Sequence, residues 1–186
     1  PGLKMVIPST PRNARALLVS AIRDPDPVVF YEPKALYRAF REEVPEEEET
    51  LPIGESRVVR EGDDITLIPY GAMMRAALEA AEKLKEEDGA EAEVIDLLTV
   101  SPMDHEKFTE SVRKTGRCVV VHEAPRSFGP AAEIVARLVE KSFLYLEAPV
   151  GRVTGFDINM PLYQREKKYI PGVERILRAA RQTLSF

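Results

Sequence analysis

Ile65–Leu98, ITLIPYGAMMRAALEAAEKLKEEDGAEAEVIDLL, decides the fold. Ile65–Tyr70 is an apolar run of strand length. Ala72–Glu87 carries Met73, Ala76, Ala77, Ala80 and Leu84 at helical spacing, and Ala92–Leu98 is a second apolar strand. A strand that is apolar on both faces has no face to show to water. It belongs inside a parallel sheet covered on both sides.

The same rhythm continues toward the C-terminus. Ser101-Pro102-Met103-Asp104 resembles a capping box with proline at the first helical position and Asp in place of Glu or Gln. The helix it opens carries Phe108 and Val112 and stops near Gly116. Cys118–Val121 is a third strand, and Ala131, Ile134, Val135 and Leu138 mark another helix. Val150–Thr154 reads as a strand. Pro171 opens a last helix with the stripe Val173, Ile176, Leu177, Ala180 and Leu184. One α/β domain is expected over 63–186.

Upstream, Leu3–Pro8 is a strand. Thr10-Pro11 supplies an N-cap and a first-turn proline, Ala14, Leu17, Leu18, Ala21 and Ile22 form a helical stripe, and Val28–Tyr31 is a short strand. Residues 1–32 are thus one βαβ unit. Two strands and one helix cannot cover a parallel sheet, so this unit is expected to be the tail of a larger domain, in a chain that begins Pro1-Gly2 rather than with methionine. Such a piece should associate through its bare faces. Between the two units, 33–62 contains Arg41-Glu42-Glu43-Val44-Pro45-Glu46-Glu47-Glu48-Glu49, without apolar periodicity. It reads as a solvated acidic linker, or as an acidic patch for a metal or partner.

A hydrophobic share of 44% with 31% charged residues suits a globular protein, and a net charge of −5 argues against a general nucleic-acid surface. No apolar run approaches the roughly 20 residues of a membrane span. The lone cysteine, Cys118, excludes an internal disulfide, and a cytoplasmic location is expected.

Chemistry-bearing motifs are sparse. Tyr70-Gly71-Ala72 stands where a dinucleotide-binding loop would lie, but only one of three glycines is present, so it reads as a tight strand-to-helix turn rather than a nucleotide site. Cys118 reads as a buried strand residue. It shares a strand face with His122, yet an extended strand separates them by about 13 Å. His122 and Glu123 end that strand, where α/β sheets carry ligands, as interface residues or as an acid and base. His105 is expected to be exposed in a first helical turn. Asp24-Pro25-Asp26-Pro27 ends the first helix, because proline lacks the amide proton. Its carboxylates and the nearby helix-end carbonyls offer hard oxygen ligands for an alkali or alkaline-earth cation, though an ordinary turn accounts for the same residues.

Ile22–Arg38, Arg113-Lys114-Thr115-Gly116-Arg117, His122-Glu123-Ala124-Pro125 and Glu147–Asp157 together resemble one family over essentially the whole chain. It is the beta subunit of the thiamine-diphosphate-dependent component of 2-oxo acid dehydrogenase complexes, of branched-chain (2-oxoisovalerate) or pyruvate type. The resemblance implies a three-layer, mostly parallel sheet of the transketolase C-terminal type at 63–186. It also implies an acidic linker at 33–62 and a leftover βαβ unit of a pyrimidine-binding domain at 1–32. It implies thiamine diphosphate and magnesium in an intact complex, held outside this portion, and a heterotetramer of alpha subunits with a second beta subunit. No catalytic residue of that family aligns with this chain. A potassium site is implied at Ala21, Asp24 and Asp26, through the carbonyls of the first and third and the side chain of the second. Phe186 is implied to meet the acyltransferase core subunit. Assembly and docking are the expected roles of this portion. A flavodoxin-like binding module, or a fragment of another transketolase-type enzyme, is the alternative.

Overall fold

The computed structural model describes residues 2–186. A five-stranded sheet forms the centre, in the order β3 (Arg57–Arg60), β5 (Ala92–Asp96), β4 (Ile65–Pro69), β7 (Cys118–Pro125) and β8 (Gly151–Gly155). The last four are parallel, and β3 runs antiparallel along one edge. Helices α2 (Met73–Asp88) and α6 (Val173–Leu184) cover one face. On it Ile65 and Leu67 of β4, Val119 and Val121 of β7, Ala77, Leu84 and Ile176 form one core. Helices α3 (His105–Thr115) and α4 (Pro130–Ser142) cover the other face, where Ile68, Val120, Phe108, Ile134 and Leu138 meet. The period-two alternation of the strands supplies both cores. Each fully buried Leu, Ile or Phe among them contributes about 1.5–3 kcal/mol. Thr66 shares the second face with Ile68, and its hydroxyl is satisfied by Ser111 at 2.7 Å and Thr115 at 2.8 Å, both on α3.

The first unit is β1 (Lys4–Val6), α1 (Pro11–Arg23) and β2 (Val28–Phe30), with β1 parallel to β2. Thr10 caps α1 and Pro11 opens it. A third strand completes this small sheet. β6 (Thr99–Ser101) leaves the end of β5 and pairs antiparallel with the other edge of β1, Met5 opposite Ser101 and Val6 opposite Thr99. The two units therefore share a strand, and Val6, Leu17 and Leu98 form a small core between them.

Three expectations change here. Ser101 ends a strand instead of capping a helix. The cap of α3 is Asp104, whose carboxylate accepts from Lys107 N at 3.1 Å, because the pairing of β6 with β1 claims Ser101 first. His105 is half-buried, not exposed, and its Nδ1 is buried without a partner. The acidic run is no free tether either, since it lies along α1. Arg12 Nε donates to Glu49 at 2.8 Å, Arg23 donates to Glu48 at 2.9 Å, and Arg15 donates to the carbonyls of Pro45, Glu46 and Glu47. Arginines spaced along one helix meet an acidic strand of chain, so opposite charge orders a segment that has no apolar periodicity. The last part of the same segment, Arg57–Arg60, is the edge strand β3.

Candidate functional site

Parallel strands of an α/β sheet bring their carboxyl ends to one edge, where ligands usually bind. Here that edge carries Tyr70 after β4, His122–Pro125 at the end of β7, and Gly155 at the end of β8. Tyr70 and His122 stack with ring centroids 6.0 Å apart and planes at 26°. Burial pushes the Tyr70 phenol above its ordinary range. His122 is fully buried, and both its nitrogens are used. Ala131 N–H, in the first turn of α4, donates to Nε2 at 3.3 Å, so Nδ1 carries the hydrogen and donates to the Ala124 carbonyl at 3.1 Å. Burial lowers its basicity and keeps the ring neutral. His122 is thus a brace between β7 and α4. Glu123 beside it is held toward the protonated form, by burial first and then by the like charge of Glu166.

Outside this buried layer the loops at the edge carry several exposed apolar side chains among charged ones. Asp157 accepts from both the amide and the hydroxyl of Ser127 at 2.8 Å, which ties the loop after β7 to the loop after β8. The tied loops present Phe128, Leu162 and Tyr163 at 104%, 90% and 86% exposure, with Phe156, Ile158 and Met160 also exposed. Exposed aromatic and aliphatic side chains on loops tied together in this way are candidates for a binding face.

No nucleophile and base converge at this edge among the described residues. Cys118 is fully buried and its thiol is pushed up by that burial, the wrong direction for a nucleophile. The turn after β4 is not a phosphate loop. A Cβ at Gly71 would meet Ile7 Cδ1 at 2.8 Å, so the space a phosphate would need is filled by the first unit. Among the described residues no group of three His, Cys, Asp or Glu is placed to hold a metal ion, and no helix is long and apolar enough to cross a membrane.

The Ala21, Asp24 and Asp26 turn lies at the end of α1. Asp24 is satisfied there by protein groups. Lys4 Nζ donates to both its carboxylate oxygens, at 2.7 and 2.9 Å, and to Asp26 Oδ2 at 2.9 Å, while Asp26 N–H donates to Asp24 Oδ1 at 2.9 Å. Lys4 first and the Asp26 amide second hold Asp24 below the ordinary carboxylate range. An added cation would compete with an ammonium for this side chain. Phe186 follows α6 and is 68% exposed. Arg181 in the same helix is paired with Glu87 and Asp88.

Three of the four sequence blocks that carry the resemblance meet as packing junctions. Glu147 N donates to the Gly116 carbonyl at 2.8 Å, and its carboxylate pairs with Arg117 at 2.6 Å. Pro125 is in register with Gly155, where an added Cβ would lie 2.4 Å from the Glu123 carbonyl oxygen and 2.5 Å from Tyr169 Oη. Sequence reasoning missed Lys4 and a buried carboxylic residue, Asp96. The only signal for the latter was an acidic residue closing the apolar strand Ala92–Asp96.

Residues 54–176 match the transketolase C-terminal domain family. All 186 residues align at 52% identity with the "Pyruvate dehydrogenase E1 component subunit beta" of Staphylococcus aureus and, at the same identity, of Bacillus subtilis. The chain spans 57% of the length of these relatives. Among solved structures, a split gene transketolase described as an inactive beta4 tetramer superposes with a TM-score of 0.80 at 25% identity, covering 100% of this chain and 58% of that one.

Proposed function

Since the chain belongs to the transketolase C-terminal domain family, we propose that it is the C-terminal part of the beta subunit of a pyruvate dehydrogenase. The single observation that carries this is the 52% identity across the entire chain to subunits of that name. The intact enzyme would decarboxylate its 2-oxo acid with thiamine diphosphate and magnesium and pass the acyl group to lipoamide. The thiamine cofactor supplies the electron sink for decarboxylation when bound. The described residues offer it no metal-holding cluster, so no step is assigned to side chains of this chain.

The work of these residues is assembly. Residues 1–32 belong to a pyrimidine-binding domain, 33–62 link it to the second domain and lend that domain its edge strand β3, and 63–186 form the rest of the second domain. The exposed apolar side chains around Phe128 and Leu162 would be covered by an alpha subunit or a second beta subunit of a heterotetramer. Phe186 and the nearby carboxylates would meet a basic domain of the acyltransferase core, a contact that salt should weaken. A potassium ion at the α1 turn would rest on the carbonyls of Ala21 and Asp26 and share Asp24 with Lys4. A branched-chain 2-oxo acid as substrate is the nearest alternative, since the resemblance in sequence extends to those enzymes.

The test is reconstitution. The full-length subunit that carries this chain, mixed with a pyruvate dehydrogenase alpha subunit, should co-elute as one complex and reduce a dye with pyruvate. Turnover with 2-oxoisovalerate alone would move the assignment to the branched-chain enzyme. Failure to associate and to turn over either acid would overturn it, as would 2-oxo acid decarboxylation by the 186-residue chain without an alpha subunit.

A further inference from the structure

We propose that Asp96, Ser9 and Asn13 form a proton-operated latch between the first unit and the five-stranded sheet. Asp96 ends β5, whereas Ser9 and Asn13 stand at the start of α1. All three are buried, at 2%, 2% and 7% exposure. Ser9 Oγ makes a short hydrogen bond to Asp96 Oδ2, Asn13 Nδ2 donates to the same oxygen at 3.4 Å, and Asn13 Nδ2 also donates to Ser9 Oγ at 3.0 Å. Both donors therefore converge on one carboxyl oxygen. The other, Oδ1, is buried with no hydrogen-bond partner of normal geometry, and the Leu98 amide only partly favours the charged form of the carboxyl.

A carboxylate in this position would be a buried charge with one bare oxygen, which is costly; a neutral acid is not. The surroundings do not supply a counter-ion in contact. The charged groups that face Asp96 across the adjoining cleft, of about 630 Å³, are Arg12 of α1, Glu42 of the strap, Arg57 of β3 and Arg75 of α2. Arg12 is held by Glu49, and Arg75 lies 5.3 Å from the Phe40 ring centroid. Arg57 favours the charged form only through its field. β6 brings no titratable side chain to the carboxyl. Burial outweighs these and pushes the Asp96 carboxyl up to about 7.

The coupling into the fold is direct. Asn13 Oδ1 accepts from Ser9 N at 3.0 Å and from Thr10 N at 2.9 Å, so the side chain that bonds Asp96 also builds the N-cap of α1. With the proton on the carboxyl, Asp96, Ser9 and Asn13 are all neutral, and the hydrogen bonds of Ser9 and Asn13 to Oδ2 hold the cluster closed. When the proton leaves, the charge is relieved by water, which requires Ser9, Asn13 and the first turn of α1 to separate from the end of β5. The state with the latch open has a water-exposed carboxylate of ordinary acidity. Opening then becomes easier by about tenfold per pH unit between roughly pH 4 and 7, and levels off above.

Amide hydrogen exchange of the 186-residue chain, corrected for intrinsic chemistry, tests this at residues 9–16. Protection there should fall by nearly tenfold from pH 5 to 6, by about fivefold from pH 6 to 7, and change little above about pH 8. Asp96→Asn should keep protection high and remove the slope. A wild-type slope of zero, or the same slope in the variant, would overturn the proposal. Should the variant fail to fold, carbon-13 titration of the Asp96 carboxyl in the wild-type chain decides. A midpoint near neutrality supports the latch, and one below about 5 rejects it.

Discussion

Gly71 and Ile7 touch across the boundary between the two units: a Cβ on the glycine would stand 2.8 Å from the isoleucine's terminal methyl. Gly71 also has φ +54°, a conformation that L side chains enter at a cost. Gly71→Ala should therefore destabilise by about 2–4 kcal/mol, the sum of backbone strain and overpacking. Gly89→Ala is the control, with φ +71° and nothing within 4 Å; only strain remains, about 1 kcal/mol. Urea unfolding of both variants measures the difference, and equal losses would mean that Ile7 yields freely.

Lys4 and Asp24 should make stability depend on acid. Asp24 is depressed by its bond to Lys4, so the pair stabilises above the ordinary aspartate range and is lost as pH falls through the lower, folded value. Lys4→Met should thus weaken the chain at neutral pH and converge with the wild type in strong acid. A double-mutant cycle with Asp24→Asn, repeated in high salt, checks the coupling, which screening should reduce.

His122 titrates in the opposite sense to Asp96. Burial lowers its folded basicity, so its contribution is present above about pH 6.5 and falls away as acid protonates the unfolded chain in preference. His122→Leu removes the acceptor for Ala131 N–H and should cost about 1–3 kcal/mol at neutral pH. The gap between variant and wild type should narrow below about pH 6, and thermal unfolding across pH reads it.

The strap over α1 is electrostatic. Replacing Arg12, Arg15 and Arg23 together with glutamine should free residues 42–49 without unfolding the sheet. Cleavage by a glutamate-specific protease in that segment should then accelerate, while circular dichroism stays unchanged. High salt should mimic the change partly, because Arg15 binds carbonyls that salt screens less than it screens carboxylates.

Sequence periodicity was enough for the four parallel strands of the central sheet and the four helices that cover it, but not for the edge strand Thr99–Ser101. Ile65, Leu67, Val119 and Val121 alternate with Thr66, Ile68, Val120 and His122, and that alternation alone assigns both cores. The cap at Thr10-Pro11 was equally legible, since it depends on three or four consecutive residues. The binding edge was legible only in part. His122 and Glu123 could be placed at a strand end, but the exposed cluster of Phe128, Leu162 and Tyr163 comes from two loops whose meeting depends on the Ser127–Asp157 bond.

What the amino-acid order determined by itself was local: where the main strands and helices run, which of their faces are apolar, and that the first stretch of chain forms one βαβ unit. What only the tertiary structure decided were the unions across long separations. Thr99–Ser101 leaves a helix cap to become a strand beside Lys4–Val6, and the acidic run settles on the arginines of α1. Ser9 reaches Asp96, 87 residues away. The reason is physical. A helix or strand is selected by neighbours a few residues apart, whereas the partner of an edge strand or a buried carboxyl is whichever distant surface the packed core delivers to it.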